Sequence, residues 1–432
     1  MWLVPRHSRG LSLRTDVPVV VRDALVRWYE GEGTDADHRA SVTMVVKART
    51  HGQWIACDCL GGETPPPLMS PSYLSEAETY YLRRLTSTRQ KRPEHLTDCP
   101  FYREQAPQRF REKRSAIPST IDEPHGLFNA HRLAPEKLAA MPDDSEPDDR
   151  TRGVAIPRLA RLLWLLMEMA HVNVVEPLPP DQGRDTSMAK EFARLRRAAE
   201  RLDIAPGIPL AKHFYTHVDP YDRNVVFARL RKAAAKWPSG LAPQAFLALY
   251  ALDISGTTIT LAEGRELEVK TRIQYAGARV GPPYLVLVVV GEHNPRDGFA
   301  ALRGYAQPIA RPSSFIAVHS QAERDAVIGL LDLQYRWRRR QIDIGFKRPL
   351  FDLTTRAGPL RPDLVLDIRD NSTGELIEAA LEVIANDEPD YIDAKQRKIA
   401  ALAELGPTVF ARAATLRDHG IEAILKANLG IG

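Results

Sequence analysis

Two carboxylates near the C-terminus have the residue type and setting for metal-assisted hydrolysis. Asp363 follows Arg361-Pro362 and opens an apolar stretch, Leu364-Val365-Leu366-Asp367-Ile368. Glu382 lies inside a second apolar stretch, residues 376–385. Breaking a phosphodiester needs a divalent cation, an activated water and stabilisation of added negative charge. Paired carboxylates offer hard oxygen ligands that suit Mg²⁺, and a nearby amine can orient the water and offset charge. Residues i and i+2 of a strand share a face, so an amine two places after Glu382 would serve. That place is Ile384.

The next segment can supply the amine. On a helical wheel at roughly 100° per residue, with Ile392 at zero, Ile399 falls at about −20°, Lys395 at about −60° and Leu402 at about −80°. A lysine inside an apolar stripe that faces a sheet is unusual unless it snorkels or meets a carboxylate. Lys395 is therefore expected to point at Glu382, with Lys398, at about −120° on the same wheel, as second choice. Glu323 could add a third carboxylate, and Lys347 could reach a phosphate from the first strand. The same residues also fit a plain scaffold, with Glu382 an edge-strand charge and Lys395 paired with Tyr391 or Asp393.

The elements that must position these groups follow from periodicity and stop signals. Residues 321–335 read as a helix, 342–351 as extended, and the Asp363 and Glu382 stretches as strands. Residues 391–405 read as a helix ended by Gly406-Pro407, 409–413 as a strand and 421–428 as a last helix. That order, αβββαβα, predicts an α/β unit with a mixed central sheet.

All three cysteines, Cys57, Cys59 and Cys99, fall in one N-terminal window, with His95 four residues before the last. Thiolate and imidazole are the ligands structural Zn²⁺ prefers, and four of them close a tetrahedral site. The window has few bulky apolar residues for its size, so a metal staple would help it fold. His51 is a rival fourth ligand. The competing reading is three small buried hydrophobes and a surface histidine. A redox role has less support, since Cys-x-Cys lacks an obvious thiolate activator.

Two stretches carry the cations that nucleic acid would need. From Arg83 to Arg114 there are ten Lys or Arg against four Asp or Glu, including Arg109, Arg111 and Lys113. Tyr80, Tyr81, Phe101, Tyr102 and Phe110 lie in or beside that run, which suits phosphate contacts with base stacking. Arg336, Arg338, Arg339 and Arg340 surround Trp337 just before the first C-terminal strand and are expected to hold DNA across the catalytic face. The alternative is a solvated helix end whose arginines complement the dipole. His213-x-x-x-His217-x-Asp219 is a weak metal candidate, because Pro209 and Pro220 flank it and no long helix presents it. No Gly-rich phosphate loop appears, so no nucleotide cofactor is expected.

At 432 residues, 44% hydrophobic and 26% charged, the chain is expected to form two or three soluble domains. A net charge of +4 is too weak by itself to argue for nucleic acid. The first residues lack the apolar core of a signal peptide, and the longest apolar runs are too short to span a membrane. Three cysteines are too few for a disulfide scaffold, so a cytoplasmic location without membrane partners is expected. Residues 42–48 and 53–57 read as strands, 65–67 as a rigid proline loop and 75–85 as a helix. The acidic run 142–149 reads as a linker. Helical patterns at 157–171, 187–202 and 224–237 precede strand patterns at 257–262, 266–273, 284–290 and 315–318. The expected organisation is α/β multidomain: a zinc-binding basic module (1–140), an acidic linker (141–153), a helical domain (154–254), a β-rich connecting region (255–318) and a nuclease-like α/β domain (319–432).

The segments Ser320-x-x-Glu323-Arg324, Phe346-Lys347-Arg348-Pro349-Leu350, Arg361-Pro362-Asp363, Glu382-Val383 and Tyr391-x-x-x-Lys395 resemble an uncharacterised bacterial family. It is the domain of unknown function numbered 1173, found in plasmid and mobile-element settings. Residues 73–78 and Cys99-Pro100-Phe101-Tyr102 are similar to it as well. Separately, the C-terminal part resembles the PD-(D/E)xK nuclease superfamily. The carboxylates of that pattern map to Asp363 and Glu382, and its lysine does not map to Ile384. Cys57-x-Cys59 with a distant His/Cys pair resembles SWIM-type zinc modules, with His95-x-x-x-Cys99 in place of their Cys-x-His. These resemblances imply a restriction-endonuclease-like αβββαβ domain, catalytic Mg²⁺, structural Zn²⁺ and DNA as partner. The expected function is a DNA-binding protein with a metal-dependent phosphodiesterase domain, linked to mobile elements. The alternatives are a catalytically inactive DNA-binding protein of the same fold, or a scaffold for acidic partner proteins.

Overall fold

The computed structural model describes residues 1–6, 14–30, 34–61, 65–74, 79–85, 93–96, 98–102, 158–178, 186–205, 207–237, 242–276, 280–294, 298–356, 358–385, 392, 395 and 398–431. The acidic run 142–149 and the basic residues Arg109, Arg111 and Lys113 lie outside them. The chain falls into two compact units, whose described residues are 1–102 and 158–431.

In the first unit, β1 (Trp2–Pro5), β2 (Thr15–Asp16), β3 (Gln53–Ala56), β4 (Leu68–Leu74) and β5 (Thr79–Arg84) form an antiparallel sheet in the order β2-β1-β3-β4-β5. Helices α1 (Val19–Glu30) and α2 (Asp35–Thr50) pack on each other, and α2 covers β3, β4 and β5. The core joins Leu3, Leu25, Val45, Ala48, Ile55 and Met69 to Cys57, Cys99 and Phe101.

Two expectations fail here. Residues 42–48 are helical, not a strand. Thr34 and Asp37 close a capping box, and Ser41, Met44, Val45 and Ala48 bury one helical face, so start signal and period together outweigh the β-branched run. The expected helix over 75–85 is instead the strand β5 where it is described. Tyr80 and Leu82 are buried at period two, and β5 pairs with β4 from Leu74↔Thr79 to Met69↔Arg84.

Among the described residues, the second unit begins with α3 (Arg158–Met169), β6 (Val174–Val175) and α4 (Met188–Ala199), which Ser187 caps at the Lys190 amide. Then come a short hairpin of β7 (Asp203–Ala205) and β8 (Ile208–Pro209), β9 (Phe214–Tyr215), α5 (Val225–Ala234) and β10 (Gln244–Ala251). The region expected to be helical thus also carries strands. In β10, alanines and leucines suggest a helix by propensity, but nearly continuous burial marks a central strand. A three-stranded meander holds β11 (Asp253–Ser255), β12 (Thr258–Thr260) and β13 (Glu266–Glu268). A larger sheet runs β14-β16-β15-β10-β9, using β14 (Gln274–Tyr275), β15 (Tyr284–Asn294) and β16 (Gly298–Arg311), with β17 (Ser314–Ala317) paired to β16.

The C-terminal part is built on a second sheet. Helix α6 (Gln321–Arg338) leads into β18 (Ile342–Lys347) and a small hairpin of β19 (Leu353–Thr355) and β20 (Gly358–Leu360). Next come β21 (Leu364–Asp370), β22 (Leu376–Ile384), β23 (Thr408–Arg412) and α7 (Ala413–Leu429). The order is β23-β22-β21-β18-β6, antiparallel except for the parallel pair β22–β23. It is the mixed sheet expected, lengthened by a two-residue strand from before α4. Leu364, Leu366, Leu381 and Val383 face a core shared with Leu330, Leu331 and Trp337 of α6 and Ile424 and Leu425 of α7. The opposite face carries Ala380, covered by Leu360 and Leu402.

Gly406 makes the turn into β23 at φ +105°, and a Cβ there would lie 2.0 Å from the Glu378 carbonyl oxygen. Gly406→Ala meets rigid backbone in a left-handed conformation. It should destabilise the second unit by at least about 2 kcal/mol, read as a lower denaturation midpoint of the full chain.

Candidate carboxylate–lysine site and cysteine cluster

Strand register brings the two acids together. Leu364 pairs with Leu381, so one step further Asp363 stands opposite Glu382. Alternation on β22 puts Glu382 on the face away from the α6–α7 core, where Ile384 also lies, and Asp363, just ahead of β21, meets it at the strand end. Glu382 is 2% exposed, and its Oε1 accepts the Asp363 amide at 3.3 Å. Asp363 Oδ2 accepts the Val383 amide at 2.8 Å, so each carboxylate is braced by the other strand's backbone.

Lys395 reaches this pair from outside the sheet. Its ammonium donates to Glu382 Oε2 at 2.5 Å and also to Asp363 Oδ2. Lys398 is exposed in a turn, and Ile399 is 41% exposed. The expected single helix over 391–405 is therefore interrupted at Lys398, and the wheel's stripe does not continue to Ile399.

An arginine completes the cluster. Arg348 Nη1 donates to the Asp363 carbonyl at 2.6 Å and to its Oδ1 at 3.3 Å. Its Nη2 lies 3.0 Å from Glu323 Oε2 and 3.0 Å from His319 Nδ1. Glu323 also accepts the His319 amide at 2.9 Å, while Ser320 Oγ caps α6 by accepting the Glu323 amide. Glu323 is thus the anchor of Arg348, which stands between it and Asp363. Sequence reasoning passed over Arg348 and His319. For Arg348 a signal existed: Ile342, Ile344 and Phe346 alternate inward on β18, and the next inward position is Arg348. By the same alternation Lys347 points the other way, where its Nζ pairs with Glu168 at 2.5 Å.

Buried Glu382, half-buried Asp363 and Glu323, and the cations of Lys395 and Arg348 set the electrostatics. Burial pushes the Asp363 carboxyl up, but the Lys395 and Arg348 charges outweigh it and hold it down to about 2. Burial and the Asp363 charge push Glu382 up against the pull of Lys395. Burial likewise raises Glu323, opposed by Arg348. Burial, with the Arg348 and Arg361 charges, lowers His319 to about 3, so the imidazole is neutral and accepts at Nδ1. Two carboxylate oxygens from different strands meet at one ammonium, so the pair is spaced to share one cation, and its donors are the hard oxygens that Mg²⁺ takes.

Arg336–Arg340 does not adjoin this site. It ends α6, 15 residues from Glu323, or about 22 Å along the axis. Arg336 pairs with Glu422, and Trp337 Nε1 donates to the same carboxylate at 2.9 Å. Contrary to expectation, these arginines do not span the face that carries Asp363 and Glu382. His213 is buried against the Trp237 ring at 5.5 Å, and Asp219 pairs with Arg265 at 2.8 Å, so that motif gathers no ligands.

In the first unit Cys57, Cys59, His95 and Cys99 place one ligand atom each within 4.8 Å of all the others. Cys57 Sγ lies 3.8 Å from Cys99 Sγ, and His95 Nδ1 lies 3.4 Å from Cys99 Sγ and 3.7 Å from Cys59 Sγ. A tetrahedral site with ordinary Zn–S and Zn–N bonds has edges of about 3.8 Å between sulfurs and about 3.5 Å between sulfur and nitrogen. The cluster could hold such a metal. His51 is exposed at the end of α2, with Nδ1 2.7 Å from the Lys47 carbonyl, and takes no part. Burial raises the Cys57 thiol and lowers His95 to about 4. Arg84 pairs with Glu94 at 2.8 Å, and that carboxylate accepts the His95 amide. Tyr80 and Phe101, expected to stack on bases, are core residues.

Residues 319–428 are similar to the restriction endonuclease-like C-terminal domain. Residues 1–105 and 120–309 match two domains of unknown function, DUF8534 and DUF8535; neither is the domain numbered 1173. No curated protein and no solved structure matches the chain. No helix among the described residues is long and apolar enough to cross a membrane.

Removing Arg348 would leave Glu323 and Asp363 buried without their shared cation. Arg348→Met should cost about 3–5 kcal/mol, and Glu323→Gln less, measured by chemical denaturation of the full chain at neutral pH.

Proposed function

We propose that the C-terminal domain is a metal-dependent phosphodiesterase acting on DNA. The convergence of Lys395 on Asp363 and Glu382, within a region similar to a restriction endonuclease-like domain, supports this reading most. Asp363 and Glu382 would hold Mg²⁺, which supplies Lewis-acid activation of water and stabilises charge on the phosphate. Lys395 sets a positive charge beside both carboxylates, where an incoming phosphate needs it. Arg348 keeps Asp363 ionised and aligned, and Glu323 with neutral His319 fixes the guanidinium. The arginines at the end of α6 would meet the nucleic-acid backbone at a distance from the reacting group.

A second reading, a DNA-binding protein that does not cleave, has one observation in its favour. Lys395 and Arg348 between them pair with both acids, so their charge is offset by the chain's own cations. Incubating the full chain with single- and double-stranded DNA and Mg²⁺ or Mn²⁺ separates the two. Cleavage should fall at least about 100-fold in Asp363→Ala and in Lys395→Ala, with DNA binding retained and weakened by salt. Absence of cleavage by the wild type with binding intact selects the second reading.

In the first unit the tetrahedral spacing supports a structural zinc ion held by Cys57, Cys59, His95 and Cys99. Binding would strip the thiol protons and tie the Cys57 turn to the His95–Cys99 segment. Elemental analysis should find zinc in the wild type and little in Cys59→Ser. Chelation should lower the first unit's melting temperature by at least about 5 °C. A metal-free, fully folded wild type would end this assignment.

A further inference from the structure

The ordinary arrangement of a lysine two residues after a glutamate sets amine and carboxylate side by side on one strand. Here the amine arrives from a separate segment and bonds to one oxygen of each carboxylate, Asp363 Oδ2 and Glu382 Oε2. The remaining oxygens are also engaged: Asp363 Oδ1 by Arg348 at 3.3 Å, and Glu382 Oε1 by the Asp363 amide at 3.3 Å. Glu382 is 2% exposed, whereas the Lys395 and Asp363 side chains retain 13% and 14%. The solvent exposure left at the pair is therefore shared by Lys395 and Asp363, not Glu382.

We propose that Lys395 competes with the divalent cation: its ammonium holds the seat shared by Asp363 and Glu382 in the metal-free protein and must leave at least one of them for the cation to bind both. This rests on the site residues of the phosphodiesterase reading but not on cleavage. Seated, Lys395 offsets one negative charge of the Asp363–Glu382 pair. Without it that charge is uncovered, so the pull on a divalent ion strengthens as the competitor disappears. Arg348 cannot play this part, because it holds Asp363 Oδ1 and the main chain and never touches Glu382 in the described contacts. The lysine's flexible four-carbon stem can withdraw while the strands stay in register. A site whose competent form is a minor fraction binds more weakly by that fraction, and deleting the competitor restores the difference.

The test is Mn²⁺ binding to the full chain without DNA, by calorimetry, for the wild type, Lys395→Met, Lys395→Gln and Asp363→Asn. Asp363→Asn measures any Mn²⁺ taken up elsewhere. Lys395→Met should bind Mn²⁺ at least about tenfold more tightly than the wild type, while losing any cleavage. If circular dichroism finds Lys395→Met unfolded, Lys395→Gln provides the same comparison. Equal or weaker binding in the folded lysine variant overturns the proposal, as does no binding in any variant. Tighter binding in a protein that cleaves no DNA would uphold the competition and remove the phosphodiesterase reading.

Discussion

The C-terminal sheet depends on balancing charge that its own strands bury. Asp363 and Glu382 sit opposite each other near the ends of β21 and β22, and two carboxylates at that distance repel unless cations lie between them. Lys395 and Arg348 approach from different sides, one from the segment after β22 and one from the end of β18. Each cation also binds a second element, so neutralising the acids ties α6, β18, β21, β22 and the Lys395 segment into one cluster. Such a network gains its stability by completeness: with one cation removed, the remaining charges are buried without partners.

Much of the C-terminal order was readable because period and length agree there. The strands around Asp363 and Glu382, the helix over α6 and the break at Gly406 each follow from a local signal. Lys395 was singled out by a wheel running through Ile399, yet that residue is exposed and the helix breaks at Lys398. Of that stripe, Lys395 and Leu402 meet the sheet and Ile399 does not. Arg348 was missed because an arginine on an inward strand position is discounted by composition; its partners Glu323 and His319 lie far away in sequence. In the first unit, β-branched residues in α2 imitated a strand, and the hairpin β4–β5 was hidden behind a helix-like start at Ser75. Non-local pairing decided both, and no local window contains it.

The cysteine cluster shows a different kind of legibility. Few residue types bind soft metal ions, so three cysteines and a histidine in one window were conspicuous before any fold was known. Structure was needed to choose His95 over His51, because the choice depends on the Arg84–Glu94 pair holding the His95 backbone and on α2 ending at His51. The cluster lies in the same core as Leu25, Val45 and Phe101, which couples any metal there to the packing of the whole unit.

The two-residue strand β6 has a consequence for anyone cutting the chain at the start of the region similar to the endonuclease-like domain. Val174 and Val175 cover the outer edge of β18, and Asn173 beside them bonds Arg348 at both its amide and its carbonyl. A fragment starting at residue 319 would bare a sheet edge able to recruit strands from other molecules. It would also release the backbone of the arginine that aligns Asp363. A piece that keeps both features, together with the Glu168 that bonds Asn173 and Lys347, reaches back into α3.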